Sequence, residues 1–414
     1  MKRRELLKMM AAGSVGGALG TGALAKNKSK RENGKKLLLI FQRGANDGLN
    51  TLIPIESSQY ALYQGHRPAI QIPLTSILPT NHSDFGLHPS LAPLQPVHAA
   101  GNLSFLHCVG YPNPDRSHFE SMAFLETAVP GNTLLQGWLN RYFQNTIGDG
   151  GLIRGVSIGS TTPQSMMGDI PIPTSTNFGT MQIGDDTLGG GTPPGELQII
   201  LDQIHDLNPT VGNEELYETG RTLFQMVENF SSRDLDSYTP EFGATYPETS
   251  FGNRVKHAAQ MLKDTPTELK VEVATIDMNG YDTHAQQLVG HANLLSELAL
   301  SLAAFHTDMG SRMNDVLVMV ITEFGRRAYE NDSAGTDHGT GGVAMIMNNN
   351  VSGNVLLGSG WPGLESASLY GGDLNWVNDY RDIYWEVMAT HMGVNSVDLE
   401  QIIPGHAPTA LGIF

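Results

Sequence analysis

Short, almost uninterrupted apolar runs recur along the chain and are separated by polar, glycine-rich segments. The first run, Lys36–Gln42 (KLLLIFQ), lacks the alternation of apolar and polar residues that is typical of a half-exposed strand. It therefore predicts a strand that is buried on both faces of a parallel sheet. Similar runs occupy Leu103–Val109, Val271–Asp277, Asp315–Ile321 and Val343–Met347.

Helix-like stretches lie between several of these runs, at Glu214–Asn229, Arg254–Lys263 and Ala285–Met309. Strands that alternate with helices predict an α/β fold, with a mostly parallel central sheet flanked by helices. Residues 160–212 are different, because they are rich in Gly, Pro, Thr and Asp and have weak periodicity, and they begin a segment of about 160–250. We interpret them as a loop-rich insertion in a single domain that spans residues 36–414.

The first 25 residues have the pattern of an export signal. Arg3 and Arg4 precede a modest, glycine-punctuated apolar stretch, and Ala23-Leu24-Ala25 offers a small-x-small cleavage site. The paired arginines favour a twin-arginine signal and passage through the twin-arginine translocase. A Sec signal or a short membrane anchor is the alternative, although so many glycines argue against a stable membrane-spanning helix. We expect residues 26–35 to be a linker and the protein to be periplasmic or secreted.

Composition narrows the classes of partner. The formal charge of the 414-residue chain is −17, and removal of residues 1–25 would make it more negative. Because no basic run is present, we expect no binding to nucleic acid. The single cysteine, Cys108, allows no internal disulfide, which suits folding in a reducing cytosol before export.

Metal-capable side chains follow several of the predicted strands. They are Asp47, Asp282, His284, Glu323, Asp337 and His338. Because ligands bind outside the carboxyl ends of the strands in open α/β sheets, we expect these loops to converge on one site. Carboxylates and imidazoles without a thiolate predict a divalent metal, with zinc or manganese favoured by histidine and calcium or magnesium as alternatives. Two metals in one carboxylate cage could clamp the attacking and leaving oxygens of a phosphoryl or sulfuryl transfer.

Several of these residues also have structural interpretations. Asp47, in an Asn-Asp-Gly sequence, could be an ordinary turn residue. Asp282 or Thr283 could cap the helix that is predicted to begin near Ala285. Glu323 ends an apolar strand, where an unpaired carboxylate would be costly, so it favours a functional site. His291 is interpreted as a surface residue.

Ser117 has two competing interpretations. Ser117 and Glu120 fit a capping box, in which the serine hydroxyl caps the following helix. A serine at a helix amino terminus also lies where an anion is favoured, so it could be a nucleophile aimed at a phosphoryl centre. Arg116 would then bind the anion, and His118 would complete the predicted catalytic group.

A different serine belongs to a G-x-S-x-G sequence, Gly155–Gly159, which is the pattern of the nucleophile elbow of α/β-hydrolases. That motif needs a helix directly after Ser157, and Ser160-Thr161-Thr162-Pro163 is a poor helix start. A serine esterase is therefore a third and weaker hypothesis.

Six stretches together resemble the DUF1501 family, exported bacterial proteins that are placed by similarity in the alkaline phosphatase–sulfatase superfamily. They are RGANDGLN at 43–50, RSHFE at 116–120, YDTH at 281–284, TEFGR at 322–326, TDHG at 336–339 and DYRDIY at 379–384. The resemblance implies an alkaline phosphatase-like fold and hydrolysis or transfer of phosphate or sulfate esters. It also implies Asp47 as the first-strand metal ligand, Ser117 as the nucleophile, and Asp282, His284, Glu323 and His338 as the remaining ligands.

The chain departs from the superfamily pattern in two places. Glu323-Phe324 stands where Asp-His is common, and the C/S-x-P-x-R signature of formylglycine sulfatases is absent. We therefore expect a metal-dependent hydrolase of phosphate or related esters that acts on an anionic small-molecule or polymeric substrate. The alternative is a catalytically degenerate binding protein with a structural metal.

Overall fold

The computed structural model describes residues 29–30, 34–131, 134–148, 151, 153–180, 225–226, 229–230, 237–263 and 269–414. The predicted signal at 1–25 and the larger part of the linker lie outside the described residues. The same holds for most of the predicted helix at 214–229 and for much of the insertion. Within residues 160–180 of the insertion, the structure has two one-turn 3₁₀ helices, Gln164–Met166 and Phe178–Thr180.

Thirteen strands occur in the described residues. They are β1 (Ser29–Lys30), β2 (Lys36–Gln42), β3 (Leu52–Pro54), β4 (Leu78–Pro79), β5 (Phe85–Leu87), β6 (Leu103–Gly110), β7 (Thr146–Ile147), β8 (Gly155–Ser157), β9 (Val273–Met278), β10 (Val316–Thr322), β11 (Gly342–Met347), β12 (Val355–Leu356) and β13 (Asn378–Asp379). Eight of them form the main sheet in the order β12-β6-β11-β10-β2-β9-β8, with β13 also paired to β6. Two small sheets, β1-β7 and β3-β5-β4, lie apart from it.

The main sheet is parallel except at β11, which runs antiparallel to both β6 and β10. β2 and β10 pair in parallel over their whole length, and every residue of both strands is buried. The predicted α/β class with a mostly parallel central sheet is confirmed. The carboxyl ends of β6, β10, β2 and β9 therefore lie at one edge, together with the amino end of β11.

Nine α-helices have bounds that lie within the described residues, and residues 225–226 and 229–230 are also helical. The nine helices are α1 (Gly48–Thr51), α2 (Ser57–His66), α3 (Gln95–Ala99), α4 (His118–Thr127), α5 (Trp138–Asn145), α6 (Ser250–Leu262), α7 (Gln287–Met309), α8 (Tyr380–Glu386) and α9 (Ser396–Ile402). A π-helical turn, Val387–His391, continues α8.

Alternate residues of β2 separate the two helical layers. Leu38 and Ile40 belong to the core cluster that includes residues of α6 and α7. Leu37, Leu39 and Phe41 belong to the cluster that includes residues of α5 and α8. This alternation explains why the strand is apolar throughout, because both of its faces are covered by helices.

α7 and the turn after it, Gln287–Asn314, have the length and apolar composition of a membrane-crossing helix. In the fold, Leu295, Leu298 and Leu302 of this helix are buried in the core that α7 shares with the sheet. The apolar character of α7 is thus accounted for by packing against the sheet.

Candidate metal centre

Glycines allow the loops at the carboxyl edge to approach one another backbone to backbone. A β-carbon at Gly335 would collide with the backbone of His284, and one at Gly339 would collide with the backbone of Arg326. Gly44 has a φ of +108°, a conformation that favours glycine, and packs against the backbone of Asp282. The glycine-rich segment after β10 therefore brings His338 next to the loop that carries Asp282 and His284.

Three imidazoles and one carboxylate converge at this edge. His338 Nε2 lies 3.0 Å from His118 Nε2, 2.9 Å from His284 Nε2 and 3.1 Å from Asp282 Oδ1. Asp282 Oδ1 also lies 3.0 Å from His284 Nε2 and 3.4 Å from His118 Nε2. The potential ligand atoms of His118, Asp282 and His338 all lie within 4.8 Å of one another. We call His118, Asp282, His284 and His338 the imidazole cluster.

The far nitrogen of each imidazole is held by an outer acceptor. His118 Nδ1 lies 2.7 Å from Glu323 Oε1, and His284 Nδ1 lies 3.1 Å from Asp337 Oδ1. His338 Nδ1 donates to the backbone carbonyl of Arg116 over 2.8 Å. Carboxylate and carbonyl partners of this kind fix the tautomer and the orientation of metal-binding histidines.

The hydrogen bond of His338 decides what its other nitrogen can do. A carbonyl only accepts, so Nδ1 must carry the proton and Nε2 of the neutral ring presents a lone pair. Burial lowers the pKa of His338 below its ordinary value, which favours that neutral ring. The lone pair faces Asp282 Oδ1, a second acceptor, at 3.1 Å. A cation between these atoms would remove the repulsion.

Asp282 is held in its ionised form. Burial alone would raise the pKa of this carboxyl, but the hydrogen bond and the charge of Arg326 lower it to about 2. Arg326 is buried and donates to Asp282 Oδ1 over 2.6 Å. It also donates to the carbonyls of Gly44, Ala45 and Tyr281, so it ties together the loops that follow β2 and β9.

The donor set fits a divalent metal. Three imidazole nitrogens and one carboxylate oxygen are ligands that zinc accepts and that manganese also tolerates. The side chain of Asp282 is about half exposed, at 45%, so a ligand in solution can reach the cluster. The outer partners Glu323, Asp337 and Arg116 complete the second layer that such sites need.

Asp47 lies outside the imidazole cluster. Its carboxylate is buried and paired with both terminal nitrogens of Arg67, at 2.6 and 3.0 Å, and it also accepts from Gln287. Burial alone would raise the pKa of Asp47, but the charge and hydrogen bonds of Arg67 lower it below its ordinary value. Arg67 therefore neutralises the carboxylate of Asp47, which the resemblance assigns to a metal. Nothing in the sequence indicates that Arg67, at the carboxyl end of α2, contacts Asp47.

Glu323 and Asp337 lie in the layer outside the cluster. Glu323 Oε1 contacts His118 Nδ1 and also accepts a hydrogen bond from the backbone N–H of Gly44 over 2.8 Å. Asp337 Oδ1 accepts a hydrogen bond from the side-chain amide of Asn331 and also contacts His284 Nδ1. The structure thus brings both predicted carboxylates to the site as partners of its histidines, and it brings His118, which was predicted as catalytic, into the cluster itself.

The capping interpretations of these loops are wrong. Ser117 occupies the N-cap position of α4, but its side chain makes no capping hydrogen bond, so the capping box with Glu120 does not form. Gln286, in a left-handed conformation, is the residue before α7, and neither Asp282 nor Thr283 caps that helix. Asp282 is instead committed to the imidazoles and Arg326.

Two further sequence interpretations are resolved by the structure. His291 is buried, not on the surface, and its Nε2 lies 2.9 Å from Asn46 Oδ1. Ser157 ends β8 and is followed by a loop, so the strand–turn–helix geometry of a nucleophile elbow is not formed there.

Arg116, which was predicted to bind the anion, directs its guanidinium to the buried carboxylate of Asp373, at 2.7 Å.

Comparison with known proteins supports the sequence resemblance. The family described as "Protein of unknown function (DUF1501)" matches residues 227–359. The DUF1501 resemblance is confirmed. The DUF1501 segment carries Asp282, His284 and His338, whereas His118 is contributed from outside it. No curated protein matches the chain.

The chain is also similar to solved structures at low identity. One is the C-terminal periplasmic domain of EcEptC from Escherichia coli in complex with Zn, with a TM-score of 0.34 and 10% identity over 77% of this chain and 74% of that one. A second is an alkaline phosphatase superfamily protein from Vibrio parahaemolyticus, with a TM-score of 0.29 and 10% identity over 84% and 70%. A third is the phosphonate monoester hydrolase of Agrobacterium radiobacter, with a TM-score of 0.30 and 9% identity over 90% and 78%.

Proposed function

We propose that this chain is an exported, metal-dependent hydrolase of phosphate or related sulfate esters with a single divalent-metal centre. The observation that carries the proposal is the meeting of His338 Nε2 with His118 Nε2, His284 Nε2 and Asp282 Oδ1, all within 3.1 Å. Zinc or manganese bound there would supply Lewis-acid stabilisation of charge on an ester oxygen.

A single metal fits the described residues better than a pair. The resemblance assigns Asp47 to a metal, but both of its carboxylate oxygens are already bound by Arg67. Arg67 is fully buried and also donates to the backbone carbonyls of Ala328 and Arg327, so it is a fixed part of the fold. Separating this pair would leave a buried charge uncompensated, which costs about 3–5 kcal/mol.

Ser117 is the proposed nucleophile. It directly precedes His118, and its hydroxyl is not used as a cap. At the amino terminus of the ten-residue helix α4, backbone N–H groups and the helix dipole favour an anionic group. The serine oxygen would lose its proton and form a bond to phosphorus while the ester P–O bond breaks, and the departing alkoxide would take up a proton to leave as the alcohol. Water would then form a bond to phosphorus while the serine O–P bond breaks, which returns a proton to the serine oxygen and releases phosphate.

Arg116 is the proposed guide for the anionic ester. Its side chain is 45% exposed and is anchored on Asp373, which also lies 3.6 Å from the guanidinium of Arg327. Two arginines share the buried carboxylate of Asp373, so this pairing leaves one positive charge at the rim of the site. Such a rim would attract an anion toward the cluster.

The alternative function is binding of a ligand or partner without turnover. The observation that favours it is the removal of Asp47 from the ligand set by Arg67. In that case the metal would be structural, and Ser117 would have no chemical role.

Turnover by metal-loaded protein distinguishes the two functions. Purified protein loaded with zinc or manganese should hydrolyse members of a panel of phosphate monoesters, phosphate diesters and sulfate esters, and chelation should abolish this activity. Ser117→Ala should reduce turnover to the background rate while changing the free energy of unfolding by less than about 0.5 kcal/mol, because no capping bond is lost.

Ser396→Ala is the matched control, since Ser396 is an exposed serine in the first position of α9. Its activity should equal that of the wild type. A metal-loaded wild type that is silent on the whole panel, or a Ser117→Ala variant with full activity, would contradict the proposed reaction.

A further inference from the structure

A polar cavity lies at the same edge of the sheet as the imidazole cluster. Its volume is about 380 Å3, within the roughly 300–1,000 Å3 that is typical of small-molecule sites. Its walls come from the loop after β8, the end of β9, the residue after β2, and helices α4 and α6. We call it the β8–β9 cavity.

One face of α4 connects this cavity to the imidazole cluster. His118, Met122 and Glu126 follow one another at intervals of four residues, so they lie on the same side of the helix. Arg43, in the cavity wall, contacts both Met122 Sδ at 3.0 Å and Glu126 Oε1 at 2.5 Å. Eight residues of helix span about 12 Å, so a group in the cavity would lie roughly that far from the cluster.

The charges in the cavity wall balance one another. Arg43 pairs with Glu126 at 2.5 Å and with Asp277 at 3.0 Å. Arg254 donates to the backbone carbonyls of Ser250 and Asp277. Two guanidinium groups and two carboxylates therefore face the cavity with no net charge, so neither an anion nor a cation is favoured there.

The remaining wall offers hydroxyl and amide groups. Ser160, Thr161 and Asn279 are exposed, and within the described part of the chain their side chains make no hydrogen bond. Such groups both donate and accept, as do the hydroxyls of a sugar, whereas an apolar group would leave them unpaired. The wall contains few apolar residues, Ile158 and Pro163 among them.

We propose that the β8–β9 cavity binds the polyhydroxylated part, a sugar or polyol, of the alcohol that the ester carries. This inference rests on the proposed function for the ester itself, but the cavity can be tested without turnover. The anionic group of the substrate would lie at the imidazole cluster, and its neutral, hydroxyl-rich part would extend along α4.

Binding is tested by saturation-transfer NMR on the metal-loaded protein with methyl glucoside, glycerol and cyclohexanol. Methyl glucoside and glycerol should receive saturation from the protein, and cyclohexanol should not. The stronger signal of the two polyols shows whether a sugar ring or an open-chain polyol fits the cavity better. Asn279→Ala should weaken the signal several-fold, because one hydrogen-bonding group is lost. Gln401→Ala, an exposed amide on α9 outside the cavity, should leave it unchanged.

Kinetics provide the second readout. The ratio of kcat/KM for a phosphorylated disaccharide such as trehalose 6-phosphate, which is long enough to reach from the cluster to the cavity, to kcat/KM for p-nitrophenyl phosphate is compared between variants. This ratio should be about 5–10-fold lower in Asn279→Ala than in the wild type and unchanged in Gln401→Ala. Equal saturation of cyclohexanol, or polyol signals that persist unchanged in Asn279→Ala, would overturn the assignment. Turnover without any polyol preference would also reject the cavity while the proposed function stands. Polyol binding without turnover would support the cavity and reject the reaction.

Discussion

At the scale of single residues, the carboxylate of Glu323 determines how His118 faces the cluster. Glu323 is fully buried and its Oε1 contacts His118 Nδ1 at 2.7 Å, while the backbone N–H of Gly44 holds the same oxygen at 2.8 Å. The hydrogen bond to Glu323 is the largest cause of the raised pKa of His118. A negative partner on Nδ1 also makes Nε2 a better metal ligand.

Glu323→Gln tests this role, because glutamine keeps the shape and one acceptor oxygen but removes the charge. We expect the affinity for zinc to fall about 10–100-fold, which competition with a chromophoric chelator measures directly. Glu400→Gln, an exposed carboxylate of α9, is the control and should bind zinc as the wild type does. Wild-type affinity in Glu323→Gln would mean that His118 is not a ligand.

The residue scale also marks the limit of what the sequence could predict. Strand ends followed by Asp, His and Glu are visible in the sequence, so the residues around the cluster could be found. The ion pair between Arg67 and Asp47 could not be predicted, because the two residues are 20 positions apart along the chain and only the fold brings them together. The sequence motif singled out His118 but predicted it as part of the catalytic group and not of the cluster. A sequence does not reveal which ring nitrogen of a histidine faces which neighbouring residue.

At the scale of elements, the loop between β10 and β11 is shaped by its glycines. Gly335 and Gly339 each lie against the backbone of another loop segment, where a β-carbon would not fit. The apolar runs predicted the strands closely, and β2 has the predicted bounds. The contacts between loops were not predictable, because glycine in a loop is equally consistent with a simple turn.

Gly335→Ala should separate the segment that carries Asp337 and His338 from His284 without altering a ligand. We expect a loss of about 1–3 kcal/mol in the free energy of unfolding, as for overpacking elsewhere, and a weaker affinity for zinc. Gly65→Ala, in α2 with open space around its α-carbon, is the matched control and should be neutral or slightly stabilising. Unchanged zinc affinity in Gly335→Ala would argue against a site shared by the two loops.

At the scale of the whole molecule, several histidines away from the cluster are buried and neutral. Burial lowers the pKa of His88, His107 and His391 to about 4 and that of His291 to about 3. In the unfolded chain a histidine takes up its proton near pH 6.5. The stability that these groups contribute is therefore present above pH 6.5 and is lost as the pH falls toward 4.

His391 allows this pH dependence to be tested far from the metal, because its Nε2 bonds the backbone carbonyl of Lys36 at the start of β2. We expect His391→Gln, in metal-free protein, to lose about 1–2 kcal/mol less than the wild type between pH 7 and pH 5. Urea unfolding at the two pH values provides the measurement. Parallel losses in the two proteins would show that His391 is already charged in the fold.

The metal content of the purified protein tests the central claim most directly. After equilibration with zinc or manganese and removal of excess metal, elemental mass spectrometry should find one metal ion per chain in the wild type. His338→Ala should retain far less, whereas His82→Ala, a histidine outside the imidazole cluster, should keep the full amount. A wild type without metal, a wild type with two ions per chain, or full retention in His338→Ala would contradict a single centre formed by His118, Asp282, His284 and His338.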